Sequence, residues 1–210
     1  MIQIILIIVL AAILVIIFRK FTQLGGVSET NNLVVKTPIN EKVQQVQEER
    51  ETKLKKKLEL EKVLERVRTL KRQGQLDKAE KVLLKLLTLF NQKPAIFYEL
   101  GLLYLEEKKY DNAISALSAA TKRESGNGFY FHALGLAYLR SKNFNKAIEN
   151  LDQALHYNNK IAYRWADLAL ALIGLEKFKE AKDAITQALE IEPHNVRYRS
   201  ILESLERKIS

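Results

Sequence analysis

Residues 131–151 read FHALGLAYLRSKNFNKAIENL, and the same pattern stands 34 residues earlier and 34 residues later. The earlier copy is FYELGLLYLEEKKYDNAISAL, residues 97–117, and the later one is WADLALALIGLEKFKEAKDAI, residues 165–185. The three align without a gap. Each opens on a large aromatic (Phe97, Phe131, Trp165), followed by a leucine (Leu100, Leu134, Leu168) and a small residue (Gly101, Gly135, Ala169). A further large residue (Tyr104, Tyr138, Leu172) precedes a short polar break, and an aromatic (Tyr110, Phe144, Phe178) follows it. Alanines then recur at Ala113, Ala147, Ala181 and at Ala120, Ala154, Ala188. On both sides of the break the apolar positions follow helical spacing, so each copy reads as two short helices joined by a turn.

The residue types have a packing logic. Two antiparallel helices approach closely only where one side chain is small, which Gly101, Gly135 and Ala169 permit. The alanines of the second helix admit the first helix of the next copy, and the aromatics fill the space that remains. No copy can bury its apolar face alone, so the copies must stack. Period and matched positions together resemble the tetratricopeptide-repeat (TPR) family. The resemblance implies an all-α fold, a right-handed solenoid of helix-turn-helix units. It divides the chain into a degenerate unit over 60–93, full units over 94–127, 128–161 and 162–195, and a capping helix over 196–210. In the degenerate unit Gly74, Leu76, Ala79, Leu83 and Leu86 fit the turn and second helix. Arg66 and Val67 stand in the leucine and small-residue slots of its first helix. In the capping helix Ile201, Leu202 and Leu205 are expected against the last unit.

In this family the first helices line a concave groove that takes a protein or peptide partner. Carried over position by position, the groove residues are Tyr98, Leu102 and Leu105; Phe129, His132, Leu136 and Leu139; and Tyr163, Ala166, Leu170 and Ile173. That set implies an apolar, aromatic-edged groove suited to an amphipathic helix or an extended peptide. The alternative is that these leucines pack against neighbouring helices or the protein's own tail. The Lys, Arg and Asn set with which some family members clamp a C-terminal carboxylate is not supplied at these positions, so no such clamp is expected.

Outward from the repeats, residues 1–18 read MIQIILIIVLAAILVIIF, with no charge and Gln3 as the one polar side chain. At 1.5 Å per residue such a run spans roughly 27 Å, close to the hydrocarbon thickness of a bilayer. It reads as a transmembrane helix. A cleaved signal peptide would carry positive charge before the apolar core and a small-x-small site after it; here Arg19 and Lys20 follow the core instead. Those two residues favour an N-terminus outside and a cytoplasmic body. Residues 19–40 hold Gly25, Gly26, Ser28, Asn31, Asn32 and Pro38 and read as a flexible tether, with Asn40 as a helix N-cap. Residues 41–72 lack Gly and Pro and read as a charged spacer helix merging into the first unit. Its first half is polar apart from Val43 and Val46, while Leu54, Leu58, Val63, Val67 and Leu70 give the second half a face that can dock. A parallel coiled-coil dimer is the competing reading, but fewer than three clean heptads are present, and a homo-oligomer has no support. Lys53, Lys55, Lys56 and Lys57 form a basic cluster that either faces anionic lipid or is a solvated face.

The chain has 210 residues, a formal net charge of +9 and no cysteine, which excludes disulfides, thiolate metal sites and cysteine-linked lipid. No phosphate-cradling loop, metal-ligand spacing or nucleophile motif is present, and His132, His156 and His194 lie far apart. No catalytic residue, cofactor or metal is expected, and no nucleic-acid motif stands behind the basic balance. The expectation is a non-enzymatic, membrane-anchored scaffold or adaptor that binds a protein partner at the cytoplasmic face. The alternative is an exported or periplasmic assembly factor of the cell envelope. The order of one span followed by repeats is similar to bacterial envelope-assembly TPR proteins.

Overall fold

The computed structural model describes residues 20, 38–90 and 93–210. The expected membrane span over residues 1–18 and nearly all of the tether lie outside the described residues. Among the described residues no helix is long and apolar enough to cross a membrane. The chain divides into two compact units, Met1–Thr52 and Lys53–Ser210, with the division falling inside the first helix.

The described elements, in chain order, are α1 (Pro38–Arg72), α2 (Leu76–Leu89), α3 (Pro94–Glu106), α4 (Tyr110–Arg123), α5 (Gly128–Arg140), α6 (Phe144–Tyr157), α7 (Ala162–Gly174), α8 (Phe178–Ile191) and α9 (Val196–Ile209). Helix α1 starts at Pro38, so the tether does not reach residue 40 and Asn40 is helical rather than a cap. Proline is suited to the first turn, where its missing N–H has no intrahelical partner and its φ is already helical. The docking face of α1 keeps Val63, Val67 and Leu70 of the expected set but not Leu54 and Leu58. Leu54 and Leu58 are 66% and 56% exposed, whereas Leu60, Leu64 and Val67 are buried. Val63 and Leu70 pack partly buried beside them.

In the unit from Lys53 onward, α3 packs on α4, α5 on α6 and α7 on α8, and the second helix of each pair packs on the first helix of the next. The small-residue slots sit where the helices touch. A Cβ built on Gly135 would lie 2.8 Å from Cγ of Leu151 and 3.2 Å from the carbonyl oxygen of Ala147. One built on Gly101 would overlap Cγ of Leu117. The core runs in two stretches. The first gathers Leu64, Val67, Leu83, Ile96, Leu103 and Leu117, and the second gathers Leu151, Ala169, Leu172, Ile185 and Leu205. Tyr138 packs on both. At the C-terminal end α9 places Leu205 and Tyr198 inside, with Ile201 and Leu202 partly buried. Tyr198 was not among the residues expected there.

The turns between the helices of each pair share one conformation. Gly74, Lys108, Lys142 and Glu176 have φ of 70°, 58°, 62° and 59° and recur every 34 residues. Each turn is closed by the same two backbone bonds. In the unit of α5 and α6 the N–H of Asn143 donates to the carbonyl of Tyr138 at 2.9 Å, and that of Lys142 to Leu139 at 3.1 Å. This left-handed cap satisfies the last carbonyls of the first helix and reverses the chain in three residues. Only the first unit meets it with a glycine.

Candidate peptide-binding groove

The first helices α3, α5 and α7 lie side by side. Leu102, Leu136 and Leu170 recur on their faces, as do Leu105, Leu139 and Ile173, and all six are half-buried. Phe129 and Tyr163 are exposed at 54% and 41%, while Tyr98 and His132 are half-buried. Ala166 is 5% exposed and so forms part of the packed core rather than an open wall; its small side chain lets a neighbour close over it.

Contacts between consecutive first helices fix these side chains. The rings of Tyr98 and Tyr130 lie 5.0 Å apart, and those of His132 and Tyr163 lie 4.8 Å apart. Nε2 of His132 is 2.8 Å from Oδ2 of Asp167, a bond from one unit to the next. Burial pushes the Tyr98 phenol above its ordinary value and the Tyr130 phenol up to about 12, so both are neutral hydrogen-bonding groups over the physiological range. At the helix ends, Asn127 accepts from the N–H of Phe129 at 3.0 Å and caps α5. Buried Arg164, at the start of α7, donates to the carbonyls of Ala154 and Asn158 and so caps the end of α6 from the next unit. Its guanidinium lies 5.2 Å from the centre of the Phe129 ring, which holds that aromatic at the groove edge.

The degenerate first unit contributes charge where the others contribute leucine. One period before Leu102 and Leu105 stand Arg68 and Lys71, in α1. Nε of Arg68 donates to Oε1 of Glu99 at 2.7 Å, and Nζ of Lys71 lies 3.7 Å from Glu99 and 3.8 Å from Glu106. Glu99 is 3% exposed, and these two cations compensate its burial. The hydrogen bond to Glu99 raises the Arg68 pKa above its ordinary value. Arg68 and Lys71 were absent from the groove read from sequence. Extending the 34-residue arithmetic one period back would have found them. Between α3 and α5 the groove deepens into a depression of about 460 Å³ lined by Leu102, Leu105, Leu136, Lys71, Glu106, Lys108, Tyr110 and Arg140. Among the described residues no cluster of His, Asp and Glu could hold a metal ion.

Two family models for tetratricopeptide repeats match the chain, over residues 64–128 and 138–205. No curated protein matches it. Among solved structures, the first TPR of Spaghetti (RPAP3), bound to the HSP90 peptide SRMEEVD, is 26% identical with a TM-score of 0.55, covering 56% of this chain and 94% of that one. The TPR domain of Sgt2 from Aspergillus fumigatus is 26% identical with a TM-score of 0.52, covering 55% and 78%. MamA from Desulfovibrio magneticus shares the fold at 18% identity with a TM-score of 0.66, covering 70% and 82%. With the helix pairs, small-residue slots and 34-residue turns described above, residues 64–128 and 138–205 belong to the tetratricopeptide-repeat family.

Proposed function

We propose that this protein is a non-enzymatic scaffold that binds a segment of a partner protein along the faces of α3, α5 and α7, and that residues 1–18 hold it in a membrane. The observation that carries the binding reading is the recurrence of half-buried leucines at Leu102, Leu136 and Leu170 and of apolar residues at Leu105, Leu139 and Ile173. A leucine that only packed between helices would be buried, as Leu103 and Leu117 are. Partial exposure repeated along three adjacent helices leaves a stripe that a partner can cover. The solved relative with the HSP90 peptide supports the reading, since that repeat domain takes a peptide.

The membrane reading rests on the uncharged run from Met1 to Phe18 followed by Arg19 and Lys20. With that orientation the repeats face the cytoplasm, and the partner is recruited to the inner surface of the membrane.

Replacing Leu136 and Leu170 together by Glu tests the binding site. The double variant keeps the helical content of the parent, because both side chains already reach solvent, and it loses capture of the partner. A folded double variant that still captures every partner of the parent would remove the groove from the account.

A further inference from the structure

The depression between α3 and α5 is ringed by three cations, and only one of them is answered. Lys71 lies within ion-pair distance of Glu99 and Glu106, and Glu99 is also bound by Arg68. Those four side chains sum to zero charge. Lys108 and Arg140, the other two cations of the rim, are exposed and make no ion pair among the described residues. Two surplus positive charges therefore stand beside Leu102, Leu105 and Leu136.

The next junction along the groove is built differently. Gly174 stands one period after Arg140, and Phe144 one period after Tyr110. The Phe144 ring lies against Gly174, so that a Cβ there would meet its Cδ1 at 2.5 Å. The aromatic fills that position of the next junction, while Lys142 stands one period after Lys108 on its edge. At the α3–α5 junction Arg140 occupies the position against which the ring would rest, and the space stays open with a cationic rim.

We propose that this depression receives an apolar side chain of the partner segment whose neighbouring residues are carboxylates, which dock on Lys108 and Arg140. The chemistry follows from the rim. An unpaired guanidinium offers a planar fork to a carboxylate, and an apolar floor beside it excludes water from the pair. The net charge of +9 favours approach of the same class of partner. This rests on the groove reading above and adds to it the partner's charge.

The test is selection from a random peptide library displayed on phage against the full chain in lipid nanodiscs at physiological salt. The expected binders carry Leu, Ile, Met or Phe within one helical turn of Asp or Glu. Arg140→Glu and Lys108→Glu each weaken a selected peptide by about tenfold, and Glu→Gln in the peptide does the same. Both substituted positions are exposed, and Glu176 already occupies the backbone conformation of Lys108, so folding is not at issue. Leu136→Glu removes binding altogether. Binders that are neutral or basic overturn the proposal, as do binders lost on Leu136→Glu but indifferent to both charge reversals, and in either case the groove itself survives. A selection that yields nothing sensitive to Leu136→Glu overturns the groove as well.

Discussion

Gly135 and Leu151 share one space: a Cβ on the glycine would stand 2.8 Å from Cγ of the leucine. The same pairing recurs as Gly101 with Leu117 and, with both residues buried, as Ala169 with Ile185 and Val67 with Leu83. The crossing of each helix pair is set at this contact. Gly135→Ala costs about 1–2 kcal/mol, because a Cβ 2.8 Å from Cγ of buried Leu151 and 3.2 Å from the Ala147 carbonyl forces that leucine to move, and the gain in helix propensity offsets only part of the cost. Gly135→Leu cannot be relieved that way and costs about 3 kcal/mol. Urea unfolding of the two variants measures the difference.

The turn conformation gives a prediction of opposite sign. Lys108, Lys142 and Glu176 hold φ near 60° without being glycine. A left-handed residue with a Cβ is strained by about 1–2 kcal/mol, of which part returns through the greater freedom of glycine in the unfolded chain. Lys142→Gly therefore stabilises the protein by about 0.5–1 kcal/mol, and Gly74→Ala destabilises it by a similar amount. Shifted denaturant midpoints at constant slope would register both.

Arg164 is the largest fully buried side chain among the described residues, and it serves the end of α6 from α7. Arg164→Ala leaves the Ala154 and Asn158 carbonyls without that donor and opens a cavity beside Phe129. The expected loss is about 3 kcal/mol, read by thermal unfolding. An unchanged melting temperature would show that the bond across units carries no load.

Alkaline pH loosens the fold. Burial, with the bond to Glu80, pushes the Tyr104 phenol up to about 12, and burial pushes Tyr130 to the same value, against an ordinary 10. A pKa raised on folding contributes stability that is whole below pH 10 and is lost as the pH rises toward 12. The unfolding midpoint therefore falls across that window. Tyr104→Phe with Tyr130→Phe flattens the fall.

Much of the fold was legible because its repeat prints the same residue types every 34 positions. The small slots, the alanines and the groove leucines each follow from one helix touching another. What was not legible lies where the chain departs from its own pattern. The left-handed cap is carried by Lys108, Lys142 and Glu176, residue types that give no turn signal. The charged end of the groove was hidden because Arg68 and Lys71 replace leucine in a unit that lacks the pattern. Within α1, Val63, Val67 and Leu70 pack as their spacing implies, but Leu54 and Leu58 satisfy helical spacing as well as Leu60 and Leu64 do, and only the position of α2 and α3 chooses between them.

The proposed membrane span over residues 1–18 makes its own prediction. Deleting residues 1–18 moves the protein from the membrane to the soluble fraction without lowering the unfolding midpoint of the repeats. A reporter fused after Ser210 is active in the cytoplasm. Recovery of the reporter outside the cytoplasm would reverse the orientation and send the search for partners to the far side of the membrane.

The groove is most directly tested by a photo-crosslinking amino acid placed in living cells at Leu136 and Leu170 on the proposed binding face, and at Gln153 and Lys179 on exposed faces of the second helices. The account predicts that one and the same partner is trapped from Leu136 and Leu170 and from neither control position. Trapping of that partner from Gln153 and Lys179, with none from the two leucines, would contradict it.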